Sequence, residues 1–541
     1  MLIPLPVDDV LPEVIAALRR CGNVVLRAPT GAGKTTRVPP ALLDAGLAGD
    51  RLIVVLEPRR LAAQTAARRI ASERNERAGD TCGYHIRFDR RAGPATRILV
   101  VTEGILLRML LDDPLLEDIG ILVFDEFHER TLNSDLALAI ARRLQKELRS
   151  DLKLVVMSAT LESQPIADFL ECPIVASEGR IFPVEVRYLP FPAKTSISQR
   201  AAAGVISVLE WTSGDVLVFL PGIAEIRRTR DELSRALRDH PFAVHELYGE
   251  LPMDQQEAVL RPADRRKVIL STNVAETSVT IEGITAVVDT GLARQLHCDE
   301  SIGVNRLEVL RISRASADQR AGRAGRTAPG YCLRLWTEAD HRFLRERESP
   351  EILRLELSGP MLTLLAWGES DLEHFPWFQS PREAAWHQAG VLLHRLGATR
   401  QQKLTASGRA LASVPIHPRL ARLLTEGLRL GCADRAACAA SLLAERDPFN
   451  RDERRSAVHV SSSDLLDRVQ AVEDFEATGN LHSSVGQLSA SAAKHVLHVK
   501  RQLLRTVREA ETVGSQVAHE DEESFLRAVL AAFPDRVARR R

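Results

Sequence analysis

Ala28-Pro29-Thr30-Gly31-Ala32-Gly33-Lys34-Thr35 follows the apolar run Asn23-Val24-Val25-Leu26 and leads into a helical pattern. A buried strand, a glycine-rich turn and a helix start, in that order, make a phosphate-binding loop. Gly31 and Gly33 let the backbone turn so that successive N–H groups face one concavity. The helix that follows brings its positive end to the same place. Lys34 can reach the β- and γ-phosphates of a nucleotide, and the Thr35 hydroxyl can ligate Mg²⁺. Thr30, Gly31, Ala32, Gly33, Lys34, Thr35 and Thr36 are therefore the candidate nucleotide-binding residues. Ala28 stands where the usual pattern has Gly. The alternative is a plain glycine-rich turn before an amphipathic helix.

Downstream, further short apolar runs end in polar clusters. Leu52–Leu56 ends in Glu57-Pro58-Arg59-Arg60, and Arg97–Val101 ends in Thr102-Glu103-Gly104. Arginines at the carboxyl end of a strand sit where open α/β sheets bind ligands, so Arg59 and Arg60 can hold a backbone phosphate there. They can equally be ordinary surface arginines. Thr102 is placed to cap the helix that follows it. Ile121–Phe124 delivers Asp125-Glu126-Phe127-His128. One carboxylate at such a place can hold Mg²⁺, and an adjacent one can orient and deprotonate a water. Leu152–Met157 ends in Ser158-Ala159-Thr160. Strands alternating with helices through residue 178 predict one doubly wound, mostly parallel domain.

Ser177–Thr195 is rich in Pro and polar residues and reads as a linker or edge segment. The alternation then restarts, with strands ending at Pro221-Gly222, at Ser271-Thr272-Asn273 and at Asp289-Thr290-Gly291. No second phosphate loop occurs. Instead the chain carries Gln319-Arg320-Ala321-Gly322-Arg323-Ala324-Gly325-Arg326. Arginines three apart on a helix share a face. Aimed at a nucleotide on the first domain, Arg323 and Arg326 can neutralise charge developing on its γ-phosphate; a solvated basic helix is the alternative.

The chain has 541 residues, too many for one domain. Its 45% apolar and 27% charged content is that of an ordinary globular protein. A formal net charge of zero announces no global basic field, although a local basic groove is allowed. Of the 72 basic residues about 8 are Lys, and Arg suits bidentate phosphate contacts. The seven scattered cysteines form no Cys-x-x-Cys or Cys/His ligand spacing, so neither zinc nor a disulfide framework is expected. Their scatter fits reduced thiols in a cytoplasmic protein. Met1–Pro6 lacks the basic start of a secretory signal, and no apolar run reaches the roughly 18 residues of a membrane helix.

The whole ordered set resembles superfamily 2 helicases of the DEAH/DExH class. The segments at 28–35, 57–60, 102–104, 125–128 and 158–160 look like motifs I, Ia, Ib, II and III. Those at 218–222, 271–278 and 319–326 look like IV, V and VI. Phe127 stands where the class name has Ala; with the closing Pro534–Arg541 stretch it points to bacterial HrpB-type members. The resemblance implies an α/β fold of two tandem RecA-like P-loop NTPase domains (1–178 and 179–338). A mainly α-helical part follows, a winged-helix domain at 339–412 and a helical bundle, the ratchet domain, at 413–541.

The same resemblance assigns roles. Lys34 and Thr35 bind phosphate and metal, Asp125 and Glu126 serve the Mg²⁺ site, and Glu126 activates water. His128 links the site to Gln319, which positions water, while Arg323 and Arg326 are arginine fingers. Arg60, Thr102, Gly222, Thr272, Asn273 and Thr277 line the nucleic-acid path. A strand-separating β-hairpin is expected at about 292–312. Residues 1–27 contain no Gln, so weak base selectivity is expected, with ATP and other NTPs accepted. Arg69 is a candidate to stack on the base. The implied activity is 3′→5′ movement on single-stranded nucleic acid, RNA favoured over DNA. A DNA helicase, a remodelling ATPase without strand separation and a nucleotide-switch module are the alternatives. The family continues with an oligonucleotide-binding-type barrel beyond this point, so a truncated chain or a short member is expected. Residues 450–463, charged and then Ser-rich, read as a loop.

Overall fold

The computed structural model describes residues 4–87, 89–159, 163–178, 182–191, 194–236, 242–249, 251–261, 263–277, 281–299, 303–449, 461–510 and 521–537. The first sheet holds β1 (Asn23–Arg27), β2 (Leu52–Glu57), β3 (Cys82–Ile86), β4 (Asp89–Arg91), β5 (Ile98–Thr102), β6 (Ile119–Phe124), β7 (Lys153–Ser158) and β8 (Ile174–Ala176). Their spatial order is β4-β3-β5-β2-β6-β7-β1-β8. Every pairing except β3 with β4 is parallel. Runs such as Ile53-Val54-Val55 and Leu122-Val123-Phe124 are buried on both faces, as central strands of a parallel sheet must be. Because the strands are parallel, β1, β2, β5, β6 and β7 all deliver their motifs to one edge of the sheet. The apolar-run reading found those five strands and missed β3, β4 and β8. The last two have only three residues each, and β3 is interrupted by Gly83 and His85.

The second sheet contains β9 (Val184–Tyr188), β10 (Asp215–Phe219), β11 (Ala243–Leu247), β12 (Lys267–Ser271), β13 (Ile284–Asp289) and, further along, Gly330–Arg334. All its pairings are parallel. The Pro-rich segment 177–195 thus carries an edge strand, β9, beside Gly330–Arg334. Its core packs Val216, Val218, Val268, Leu270 and Val288 against Ala201, Val205 and Val208 of helix Ile197–Leu209. Ser196 and Gln199 form the capping box that starts this helix. The strands β14 (Leu292–Asp299) and β15 (Val304–Arg311) form the antiparallel hairpin, with Leu296 opposite Leu307.

The chain divides into two compact units. The first runs through Leu355 and includes Pro376–Ser380, so Glu338–Leu355 belongs with the two sheets. The second comprises Glu356–Phe375 and the chain from Pro381 onward. It begins with helices Ser358–Trp367 and Glu383–Arg395, then a two-stranded hairpin of Thr399–Arg400 and Lys403–Leu404. Gln401 and Gln402 both take left-handed φ (50° and 61°), the backbone a two-residue primed turn demands. Helices Ala406–Ser413, Pro418–Arg429, Ala433–Ala444, Asp464–Thr478, Ala490–Ala510 and Glu522–Ala532 follow. Gly427 lets two of them approach closely, since a Cβ there would lie 2.3 Å from the Ala436 Cβ. Thr160, Ser278, residues 300–302 of the expected hairpin, residues 450–460 of the loop expected at 450–463 and Arg539–Arg541 lie outside the described residues.

Candidate functional site

Gly31 and Gly33 hold φ of +88° and +93°, the left-handed backbone that glycine adopts without a Cβ penalty. The loop therefore turns sharply before helix Lys34–Asp44, with Gly33 as its N-cap. Lys34 is buried, and its Nζ donates to the carbonyls of Ala28 (2.8 Å) and Pro29 (3.1 Å). Ala28 is itself buried, so the missing glycine of the usual pattern is replaced by a packed methyl group. Thr35 Oγ1 donates to the Asp125 carboxylate, joining the loop to the end of β6. Ala32 is buried, Thr30 is half-buried, and the Thr36 hydroxyl reaches the Gly33 carbonyl at 3.4 Å.

Asp125 and Glu126 follow β6 directly, and Asp125 Oδ1 accepts from the Glu126 N–H at 2.8 Å. Glu126 and Arg130 both have left-handed φ, +47° and +48°, flanking the 3₁₀ turn Phe127–Glu129. Such backbone costs on the order of 1–3 kcal/mol at a non-glycine residue and persists only when the surroundings hold it. Phe127 is buried in that turn. His128 Nδ1 lies 3.3 Å from Glu126 Oε2 and accepts from the Ala159 N–H at 3.4 Å. Among the described residues no hydrogen bond joins His128 to Gln319, the residue to which it was expected to link the site. His128 Nε2 and Glu126 Oε2 are buried and lack hydrogen-bond partners among the described residues.

The second sheet supplies positive charge to this place. A Cβ on Gly31 would lie 3.7 Å from Arg326 Nε, so the Arg326 side chain rests on the phosphate loop. Helix Arg314–Ala321 ends before Arg323, so Arg323 and Arg326 occupy the turns beyond it and do not share a helical face. Arg323 is buried and donates to the carbonyls of Glu276 (2.9 Å) and Thr277. Burial lowers the proton affinity of both arginines, Arg326 to about 10. Burial pushes the Glu126 carboxyl up, but Lys34, His128, Arg323 and Arg326 pull it below the ordinary value. Burial and the Glu126 charge hold Asp125 above its own. Glu57, at the end of β2, is raised further, by burial and then by Asp125 and Glu126.

A second set of contacts joins the two sheets. Arg59 donates to the carbonyls of Asn273 (2.7 Å) and Val274 (2.9 Å) and to Glu129 (3.2 Å). The Thr277 hydroxyl, expected on the nucleic-acid path, donates to Glu129. Arg320 is 1% exposed; it bridges Glu276 (2.8 Å) and Asp289 (2.9 Å) and lies 4.7 Å from the Phe219 ring centre. Glu129, Glu276 and Arg320 received no role from the sequence, because their work depends on partners 31 to 148 residues away.

Comparison with known proteins matches this geometry. A DEAD/DEAH box helicase model matches residues 10–169. A helicase conserved C-terminal domain matches 203–328, and a ratchet-like helicase associated domain (HA2) matches 417–481. The chain is 44% identical over 445 residues to the ATP-dependent RNA helicase HrpB of Escherichia coli (strain K12). That alignment covers 82% of this chain and 55% of HrpB. It is 36% identical over 482 residues to HrpA of the same organism, covering 85% of this chain and 37% of HrpA. A crystal structure of the Escherichia coli DEAH/RHA helicase HrpB superimposes with a TM-score of 0.84 at 39% identity. It covers 99% of this chain and 64% of that one. The chain belongs to the HrpB-type DEAH/DExH helicases. It spans about a third to just over half the length of the curated relatives it matches.

In this HrpB-type chain a cavity of about 590 Å³ opens between the two sheets and the β14–β15 hairpin. His128, Gln319, Asn273 and Arg294 are among the residues on its wall. Asn273 and Arg60 are exposed, and Thr272 and Thr102 are half-buried. Thr102 occupies the N-cap of helix Glu103–Asp112, but its side chain makes no capping bond. Gly222 is covered: a Cβ on it would meet the Arg294 guanidinium at 2.7 Å. Its smallness makes room for Arg294, a basic group on the cavity wall that the sequence reading passed over. Arg69 is 61% exposed and bonds Glu73 at 2.6 Å, four residues along its own helix. Among the described residues no helix is long and apolar enough to cross a membrane.

Proposed function

We propose that this chain hydrolyses ATP, and other NTPs, between its two helicase domains and uses the cycle to move 3′→5′ along single-stranded RNA. The observation that carries the proposal is Arg326 of the second domain resting on Gly31 of the phosphate loop. Two domains then contribute to one site, so nucleotide turnover and relative domain motion are linked.

The residues present fit a nucleotide with Mg²⁺. The turned glycines, buried Lys34 and the helix start offer donors to phosphate. Thr35 and Asp125, already in contact, would hold the metal, with Glu126 beside them. Bound Mg²⁺ supplies charge neutralisation at the transferred phosphate. Glu126 accepts a proton from the attacking water, since the surrounding cations keep its carboxyl ionised. Its Oε2, which accepts no hydrogen bond among the described residues, provides the acceptor. Gln319 orients that water, and Arg323 and Arg326 meet developing negative charge. Arg60, Thr102, Thr272, Asn273 and Arg294 hold the nucleic-acid backbone by phosphate contacts, while Gly222 and Thr277 support them indirectly.

The test is NTP hydrolysis with and without poly-U RNA and the matched DNA strand, at low and high salt. Stimulation by RNA that weakens as salt rises is expected, because phosphate contacts release counterions. Stimulation equal for DNA would remove the RNA preference, and hydrolysis indifferent to both strands would contradict the motor function.

A further inference from the structure

Phe127 sits between two residues of the hydrolytic site, Glu126 and His128, and is 1% exposed. What packs on it is unusual in its chain position. Phe378 lies in Pro376–Ser380, a five-residue segment that packs with the helicase domains although its neighbours on both sides belong to the second unit. The Phe378 ring centre is 5.9 Å from that of Phe127, tilted by 51°. On another side it meets Phe169 at 5.4 Å. The Arg130 guanidinium lies 4.4 Å from its centre, and Asp135 holds that guanidinium by two bonds of 2.8 and 2.9 Å. Arg130 is also the second left-handed residue of the strained turn.

We infer that Phe378 is a positioning residue for hydrolysis: it braces the Phe127–Glu129 turn and so fixes where the Glu126 carboxylate points. The physical reasons are three. A turn flanked by two left-handed non-glycine residues relaxes unless its side chains are held. Phe127 has no polar group, so only packing can hold it, and Phe378 with Phe124 provides rings on it. Arg130 clamps Phe378 from the far end of the same turn, so both ends of the turn depend on one ring. Misplacing a general base by an ångström is enough to lower turnover strongly without changing nucleotide affinity. The ring also borders the cavity proposed for nucleic acid.

The inference rests on the hydrolytic function proposed above. Hydrolysis by the parent 541-residue chain, and its loss in Glu126→Gln, tests that function independently of Phe378. The experiment compares kcat and KM for ATP in Phe378→Ala, Phe378→Tyr, Phe127→Ala and the Phe127→Ala/Phe378→Ala double variant, with melting temperatures alongside. Phe378→Ala is expected to lower kcat about tenfold with KM within about twofold. Phe378→Tyr, which keeps the ring and the cation contact, is expected to restore parental turnover. The double variant is expected to be no slower than the slower single one, because both act through one contact. Phe378→Leu replaces Phe378→Ala if the latter does not fold, with the same outcomes required. A parental kcat in the truncated variant, multiplying effects in the double variant, or KM rising in step with the fall in kcat would each overturn the inference.

Discussion

Glu103 stands next to Thr102, which the resemblance puts on the nucleic-acid path, yet the structure buries it. Its carboxylate accepts from the hydroxyls of Ser134 (2.8 Å) and Thr131, the cap of helix Leu132–Glu147. Burial pushes its pKa from 4.5 to about 7, against the pull of those two hydroxyls. The folded carboxyl keeps its proton to about pH 7, whereas the unfolded one releases it near 4.5. The folded chain therefore binds more protons in that window, and stability falls as pH rises through it. At about 1.4 kcal/mol per tenfold change in proton affinity, the loss is on the order of 3 kcal/mol by pH 8. Glu103→Gln removes the ionisation, so its melting temperature should gain on that of the parent as pH rises from about 5 to 8. A constant difference across that range would show that Glu103 does not titrate there. A Thr-Glu-Gly triplet cannot announce this, because burial by helix Leu132–Glu147 is a tertiary fact.

Among elements, motif VI shows how far spacing carries. The spacing of Arg320, Arg323 and Arg326 marks a basic element correctly, but a helix that stops at Ala321 divides their work. Arg320, inside the helix, is fully occupied by Glu276 and Asp289. Arg323 and Arg326, in the turns after it, reach the phosphate-loop side. Arg320→Ala leaves Asp289, which is wholly buried, without its ion pair. Removing one partner of such a pair costs about 3–5 kcal/mol. The melting temperature should fall by several degrees, with the loss appearing in the absence of nucleotide. An unchanged melting temperature would deny Arg320 its structural part. The resemblance implied the hairpin at about 292–312, and the two runs that form it, β14 and β15, flank a short turn. The edge strand β9 falls in the Pro-rich segment read as a linker or edge segment; the prolines around it left those two readings open and are compatible with the edge position.

At the scale of the molecule, the order of the motifs along the chain specified two parallel sheets and their ligand edges, because each motif closes an apolar run. Two of the contacts between the sheets were not legible: Arg59 with Asn273 and Thr277 with Glu129 pair residues far apart in sequence. The second unit was expected as a mainly α-helical part, with no bounds for its helices Ala406–Ser413, Asp464–Thr478 and Glu522–Ala532. No motif chemistry falls on those three to draw attention. The return of Pro376–Ser380 to the helicase domains had no signal at all, since nothing in Trp377-Phe378-Gln379 names a partner. In the function proposed above, hydrolysis needs both sheets at once. The most direct measurement is single-turnover ATP hydrolysis with Mg²⁺ in Arg326→Ala, alongside binding of a fluorescent nucleotide. A composite site requires hydrolysis to fall about a thousandfold while nucleotide still binds. Hydrolysis at the parental rate would mean that the first domain works alone and would contradict the account.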